Sequence, residues 1–210
     1  MLLYLTAGEL ARRPALQRAM FEDRARQFHD RLGWKVSVDR AGQERDVYDS
    51  PAATYVICSE HGRHLGSMRF LPTTGRTMVN DHFAHLAGRP LSHPGLTECT
   101  RFCIAPDAPE RTAARLMAGA LEYGYWQGYD SIVGVFDARM VRIYARLGWA
   151  PVILGSDGDG RDRVSVGLWQ VSGVLRPRLL QAANIAEADA AKWAAALRRR
   201  RGVAADRPAP

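Results

Sequence analysis

Between Leu96 and Phe136 the chain reads strand, loop, helix, strand, and the helix at its centre restricts the fold most. Ala113, Leu116, Met117, Ala120 and Gly124 share one face at helical spacing, and their small size lets a helix lie close on a sheet. Leu96 to Ile104 reads as a strand ending before Pro106, Pro109 suits a first helical turn, and Ser131 to Phe136 reads as the next strand. Before this segment, Leu2 to Leu5 reads as a short strand. Glu9 to Leu32 reads as one helix, or two broken near Pro14, stopped by Gly33. Thr54 to Cys58 and Leu65 to Phe70 read as paired strands, and Asp81 as the cap of a short helix into Leu86. After it come a helix from Arg139 to Leu147, a hairpin from Trp149 to Leu154 and Val164 to Trp169, and helices at Val174 to Ala183 and Ala188 to Arg200. This mixed order predicts an α/β (α+β) three-layer sandwich with a central mixed sheet flanked by helices. Residues 1–201 read as one domain and 202–210 as a disordered tail.

Bulk properties remove several function classes. The chain has 210 residues, 47% hydrophobic and 24% charged, which suits a globular domain with its own core. Cys58, Cys99 and Cys103 form neither an even framework nor a CxxC pair, so reduced thiols and a cytoplasmic location are expected. Met1 to Ala7 lacks a basic start and a long apolar stretch, so no secretion signal is expected, and no apolar run reaches the roughly 18 residues needed for a membrane span. The net charge of +7 comes without a nucleic-acid-binding signature, so it reads as a solvated surface or one that steers acidic proteins and phosphate-bearing substrates. His82, His85 and His93 lack metal-ligand spacing, and no metal is expected. Asp157 to Asp162 begins like a calcium loop but has Arg161 fifth and no glycine sixth, so it reads as a hairpin turn.

What remains is a set of charged and aromatic residues around a polar stretch, Lys35 to Pro51, expected to be a mobile loop and lid. Arg24, Phe28 and Trp34 lead into it, Asp46 and Asp49 lie within it, and Arg69, Glu98, Arg101 and Phe102 follow on strands. Trp34 can fold over a ligand or simply pack, and Phe28 can be core. The aspartates can face one cation or shape a turn. Glu98 and Arg101 are three apart on a strand, so simple alternation sends them to opposite faces unless the strand bends or bulges.

Taken together, Arg24, Phe28, Arg31-Leu32-Gly33-Trp34, Glu44-Arg45-Asp46-Val47-Tyr48-Asp49, Arg69 and Thr97-Glu98-Cys99-Thr100-Arg101-Phe102 resemble the LuxI-type acyl-homoserine-lactone synthases. The resemblance covers roughly residues 1–185 and implies a fold similar to the N-acetyltransferase (GNAT-like) sandwich. It implies acyl transfer from a thioester to the amine of S-adenosylmethionine, then lactonisation. S-adenosylmethionine is then a substrate, and no recycled cofactor is implied. The acyl donor is an acyl carrier protein or acyl-coenzyme A. By the resemblance, Glu98 is the general base acting through water, and Asp46 and Asp49 position the amine and order the loop. Arg101 orients the methionine portion, while Arg24, Phe28, Trp34, Arg69 and Phe102 complete the S-adenosylmethionine pocket. Leu116, Met117, Ile132, Gly134, Phe136, Met140 and Tyr144 are expected to hold the acyl chain. In the family a threonine at the position of Gly134 accompanies 3-oxo groups, so glycine implies an unsubstituted chain. Arg139, Arg142 and Arg146 form a helix face that can receive an acidic carrier. The alternative is a coenzyme-A-dependent N-acyltransferase of the GNAT superfamily acting on another amine, which Ile143 to Trp149 also resembles. The turn Ala105 to Arg111, with two prolines and two acids, is a poor cradle for a pyrophosphate.

Overall fold

The computed structural model describes residues 1–201; the tail expected at 202–210 lies outside them. Seven strands form one sheet: β1 (Leu2–Thr6), β2 (Thr54–Glu60), β3 (Arg63–Pro72), β4 (Leu96–Ile104), β5 (Ser131–Asp137), β6 (Val152–Asp157) and β7 (Val164–Gln170). Their order is β1-β2-β3-β4-β5-β7-β6. The β4–β5 pair is parallel and every other pair antiparallel. The helices are α1 (Ala7–Ala11), α2 (Pro14–Arg24), α3 (Met78–His82), α4 (Thr112–Gln127), α5 (Ala138–Leu147), α6 (Arg176–Ala183) and α7 (Glu187–Arg201).

Alternation along the strands builds two cores. Leu2 and Tyr4, Val56 and Cys58, and Met68 and Phe70 face α4, which is backed by Leu179 and Leu180 of α6 and Leu197 of α7. Leu5, Tyr55, Ile57 and Leu71 face the opposite way, onto Leu10, Leu16, Met20 and Phe21 of α1 and α2. The expected three-layer sandwich is therefore present. The small face of α4 includes Gly119, where an added Cβ would lie 2.9 Å from Val56 Cγ1 and 3.0 Å from Leu2 Cδ1. Glu122, buried on the same helix, accepts from Trp126 Nε1 at 2.7 Å and Arg176 Nε at 2.6 Å, tying α6 to α4.

Two features position the site. The β4–β5 pairing runs from Leu96↔Ser131 to Cys99↔Gly134 and stops there. Both strands continue beyond it, to Ile104 and Asp137, so the sheet opens into a cleft at Cys99 and Gly134. The second feature is the crossing from β3 to β4, which lies over the sheet face opposite α4. Phe83, Leu86 and Leu91 pack there on Val133, Val166 and Leu168. The short helix in this crossing starts at Met78, with Thr77 at its N-cap, so Asp81 is inside the helix and is not its cap.

The crossing rests on β6 through a glycine. A Cβ at Gly155 would lie 1.9 Å from the Leu86 carbonyl oxygen, a backbone atom that cannot rotate away. Gly155→Ala is expected to cost roughly 1–3 kcal/mol and lower the melting temperature by a few degrees. Gly8→Ala, whose Cβ meets nothing within 4 Å, serves as the control and should be neutral or slightly stabilising. Equal melting of Gly155→Ala and wild type would show that the crossing is not seated on β6.

Candidate active site

On the sheet face covered by α1 and α2, three arginines from three elements converge on three acids of the 35–51 loop. Arg24, at the end of α2, donates from Nε to Glu44 Oε2 at 2.6 Å. From Nη1 and Nη2 it reaches both oxygens of Asp49, at 2.9 and 3.0 Å. Arg69 of β3 grips both oxygens of Asp46, reaches Asp49 Oδ1 at 2.9 Å, and donates from Nε to Thr100 Oγ1 at 3.0 Å. Arg101 of β4 donates to Glu44 Oε1 at 2.9 Å and lies 2.7 Å from Asp46 Oδ2. Tyr55 completes the set, donating to Asp49 Oδ1 at 2.9 Å.

Charges this deeply buried are tolerated because they neutralise one another. Arg24, Arg69 and Glu44 are each at most 1% exposed. Burial alone would raise the Asp49 carboxyl, yet Arg24 and Arg69 outweigh it and hold it well below the usual carboxylate range. Asp46 is likewise lowered, burial being outweighed by Arg69 and Arg101. Burial also works against the Arg24 cation, and Asp49 and Glu44 overcome it.

The alternation problem between Glu98 and Arg101 is solved by a bulge. Ser67 pairs with Cys103 and Arg69 with Thr100, so Arg101 and Phe102 together oppose the single residue Met68. Arg101 has φ +54, a left-handed conformation that costs an arginine on the order of 1 kcal/mol or more. The extra residue resets the alternation. Arg101 joins Glu98 and Arg69 on the acid-lined face, while Phe102 turns to the α4 side and packs on that core. Phe102, expected in the S-adenosylmethionine pocket, thus lines the cleft described below, on the other side of the sheet from the arginine–carboxylate cluster.

Glu98 differs from the other acids because no arginine holds it. Its Oε1 accepts from the Val79 amide at 2.6 Å and its Oε2 from the Met78 amide at 3.0 Å, so it caps α3 in place of Thr77. Burial pushes its carboxyl up to about 7, with Asp46 adding to the rise, while the two amides and Arg69 only partly offset it. The Thr77 hydroxyl is left buried without a partner.

The aromatic pair is also assembled. Phe28 lies in the wider π-helical turn Ala25–Arg31, a distortion frequent at functional sites. Gly33, at φ +65, ends that turn, and the Trp34 amide donates back to the Phe28 carbonyl at 2.8 Å. The two rings stack with centroids 5.1 Å apart and 18° between planes, and the Arg101 guanidinium carbon lies 5.5 Å from the Phe28 centroid. Phe28 is buried and Trp34 is 38% exposed, so the pair offers one aromatic face to solvent.

The loop expected to be free is tied down at four points. The Glu44 amide donates to the Phe21 carbonyl, and Glu44, Asp46 and Asp49 are held as described. In addition, the Tyr48 hydroxyl donates to Asp81 at 2.9 Å and lies 3.0 Å from His82 Nε2, joining the loop to the β3–β4 crossing. Glu44 was not anticipated as a site residue, although it opens the same acidic run. Its only sequence signal was that proximity.

Across the sheet, the cleft between β4 and β5 holds an apolar cavity of about 450 Å³ including its mouth. Of the residues expected there, Met117, Ile132, Gly134 and Tyr144 line it. Leu116, Phe136 and Met140 do not. Leu116 is sealed in the core beside Gly66, Phe136 stands behind the cavity edge-on to Tyr144 and Trp169, and Met140 packs on the core. The walls missed from sequence are Met68, Cys99, Thr100, Ala120, Val135, Trp149 and Trp169. Among the described residues no group of three or more His, Cys, Asp or Glu side chains could hold a metal ion, and no helix is long and apolar enough to cross a membrane.

Comparison with known proteins agrees with this geometry. An acyl-homoserine-lactone synthase of Rhizobium etli is 39% identical over 162 residues, 73% of this chain and 76% of the relative. The structure superposes on TofI, solved in a ternary complex with an inhibitor and MTA, at TM-score 0.71 and 26% identity, covering 90% of this chain and 98% of that one. It shares the fold of BjaI, a CoA-dependent acyl-homoserine lactone synthase, at TM-score 0.81 and 20% identity, covering 93% and 99%. The family model for autoinducer synthases matches residues 9–170, and the chain belongs to that family.

Proposed function

We propose that the chain is an acyl-homoserine-lactone synthase, consuming S-adenosylmethionine and an acyl thioester. The observation that carries the reading is the arginine–carboxylate cluster beside the Phe28–Trp34 stack, one strand's thickness from an apolar cleft. The cluster suits the ammonium and carboxylate of a methionine, the aromatic face suits adenine and a sulfonium, and the cleft suits an acyl chain. The amine nitrogen attacks the thioester carbonyl carbon, the N–C bond forms, and the C–S bond breaks to release the thiol carrier. The carboxylate oxygen of the same methionine then attacks its own γ-carbon. The C–S bond to the sulfonium breaks, its electron pair stays on sulfur, and 5′-methylthioadenosine leaves as the lactone closes. Neither step needs a metal or recycled cofactor.

Glu98 is the proposed base that takes the ammonium proton, through a water. Arg101 orients the methionine portion, and Asp46 and Asp49 position the amine with Arg24 and Arg69 behind them. A carboxyl held near neutrality is well matched to that proton transfer. The donor is coenzyme A or an acidic carrier protein, with Arg142 and Arg146 of α5 available to the latter; Arg139 is turned back onto Asp137. Three free thiols fit a cytoplasmic setting, where both substrates are made. The amide-poor turn at Pro106 and Pro109 weighs against the alternative of ordinary coenzyme-A-dependent acetyl transfer.

The test is mass spectrometry of the products formed from S-adenosylmethionine and a panel of acyl thioesters. Intact protein should yield an acyl-homoserine lactone and 5′-methylthioadenosine in equal amounts; folded protein yielding neither from any donor would end the reading. Glu98→Gln should lower kcat/KM by roughly 10²- to 10⁴-fold. The raised Glu98 carboxyl places the wild-type rising limb of kcat/KM near pH 7, and that limb should vanish in Glu98→Gln. A folded Glu98→Gln variant with wild-type turnover would remove Glu98 as base.

The same shift fixes a stability trend. With its folded value raised from 4.5 to about 7, Glu98 favours the fold as a neutral acid. Its contribution is complete below the unfolded value and is lost as pH rises through about 7. Between pH 4 and 8, Glu98→Gln should therefore gain on wild type by up to about 3 kcal/mol in chemical denaturation. A constant difference across that range would contradict an ionisable Glu98 buried at this site.

A further inference from the structure

The cleft between β4 and β5 is apolar in its walls, but one hydroxyl inside it is uncommitted. Every other strongly polar side-chain group in the lining is engaged by a protein partner. Trp149 Nε1 donates to the Gln170 carbonyl at 2.9 Å, and Trp169 Nε1 to the Trp149 carbonyl at 3.1 Å. The Thr100 hydroxyl accepts from Arg69, and the Arg101 guanidinium is held by Glu44 and Asp46. Cys99 offers only a weakly donating thiol.

Tyr144 is the exception. It is 6% exposed and lines the cavity from α5. Its ring is pinned edge-on by Phe136, centroids 5.3 Å apart, and by Trp169, 4.9 Å apart, so the hydroxyl has little freedom. The hydroxyl makes no hydrogen bond to any described residue. The described polar side-chain atoms sealed in protein without a partner are Tyr4 Oη, His64 Nε2, Thr77 Oγ1, Thr112 Oγ1 and Arg115 Nε. The Tyr144 hydroxyl is not among them, so it is not sealed in protein, and its residue borders the cavity.

We propose that Tyr144 reads an oxygen substituent on the acyl chain near the thioester, so that the preferred donors are 3-oxo- or 3-hydroxyacyl thioesters. The proposal rests on the synthase reading above and reverses the expectation drawn from Gly134 alone. Gly134 lacks a hydroxyl, and there is little room for one: an added Cβ would lie 3.1 Å from the Cys99 carbonyl oxygen and 3.3 Å from the Trp169 ring. The polar contact comes instead from α5. An unsubstituted chain would expel water from the cavity and leave the phenol unpaired, an unfavourable desolvation. A phenol both donates and accepts, so it serves a ketone or a hydroxyl oxygen.

The experiment compares kcat/KM for unsubstituted, 3-oxo and 3-hydroxy donors of equal chain length, each at saturating S-adenosylmethionine, in wild type and Tyr144→Phe. Wild type should prefer an oxygenated donor by about 10- to 100-fold, and Tyr144→Phe should reduce that ratio at least tenfold. The two oxygenated donors tell a ketone reader from a hydroxyl reader. A wild-type preference for unsubstituted donors, or an unchanged ratio in a Tyr144→Phe variant of wild-type melting temperature, would overturn the proposal while leaving the synthase reading intact. If no donor gives a lactone, the synthase reading itself fails.

Discussion

The site depends on the mutual neutralisation of Arg24, Arg69 and Arg101 by Glu44, Asp46 and Asp49. None of these groups could be buried alone. Removing one partner of such a buried pair typically costs about 3–5 kcal/mol, because the survivor is left charged in a poor solvent. The cluster therefore acts as a lock in which α2, β3, β4 and the 35–51 loop must all be in place together. It also explains why a segment with little regular structure beyond the isolated bridge Val38↔Glu44 has a defined path.

The lock requires a defect in the sheet. A regular β4 would turn Arg101 into the α4-side core and leave Glu44 with a single guanidinium. The bulge opposite Met68, with Arg101 at positive φ, brings the guanidinium round. Backbone strain is thereby held by charge pairing, and the same bulge sends Phe102 into the cleft. One local irregularity thus serves both halves of the site. It aims a cation at the acids on one face and an aromatic wall at the apolar cavity on the other. Glu98, next to this machinery, is spared arginine contact and instead caps α3, and burial raises its carboxyl to about 7.

Much of this was legible in the chain. Period and turn residues located the seven strands and the main helices to within a few residues, because local patterning and burial agree there. The small face of α4 announced close packing on the sheet, and Gly119 provides it. Arg24, Phe28, Trp34, Asp46, Asp49, Arg69, Glu98 and Arg101 lie in one neighbourhood, with Glu98 and Phe28 flanking the ionic cluster. What stayed hidden depends on tertiary context. The Arg101 bulge has no glycine to mark it, and Glu44 looks like any loop acid until two guanidiniums close on it. Leu116, Phe136 and Met140 were plausible cleft residues by position. Which side chain faces a cavity depends on where two parallel strands part company, and no single-strand pattern encodes that point. The Asp81 cap failed for a related reason: a carboxylate from β4, distant in sequence, took the helix start.

The most direct test of the central claim is native-state hydrogen exchange of the ligand-free protein, read at the amides of residues 44–49. The account predicts that Glu44, Asp46, Tyr48 and Asp49 are protected to the level of α2. Their amides are bonded to the Phe21 carbonyl, the Asp49 and Asp46 carboxylates and the Asp46 carbonyl, inside a segment that opens only with the charge cluster. Exchange at the rate of an unstructured loop, with α2 and β3 still protected, would show that the acids are not locked in the free protein and would contradict it.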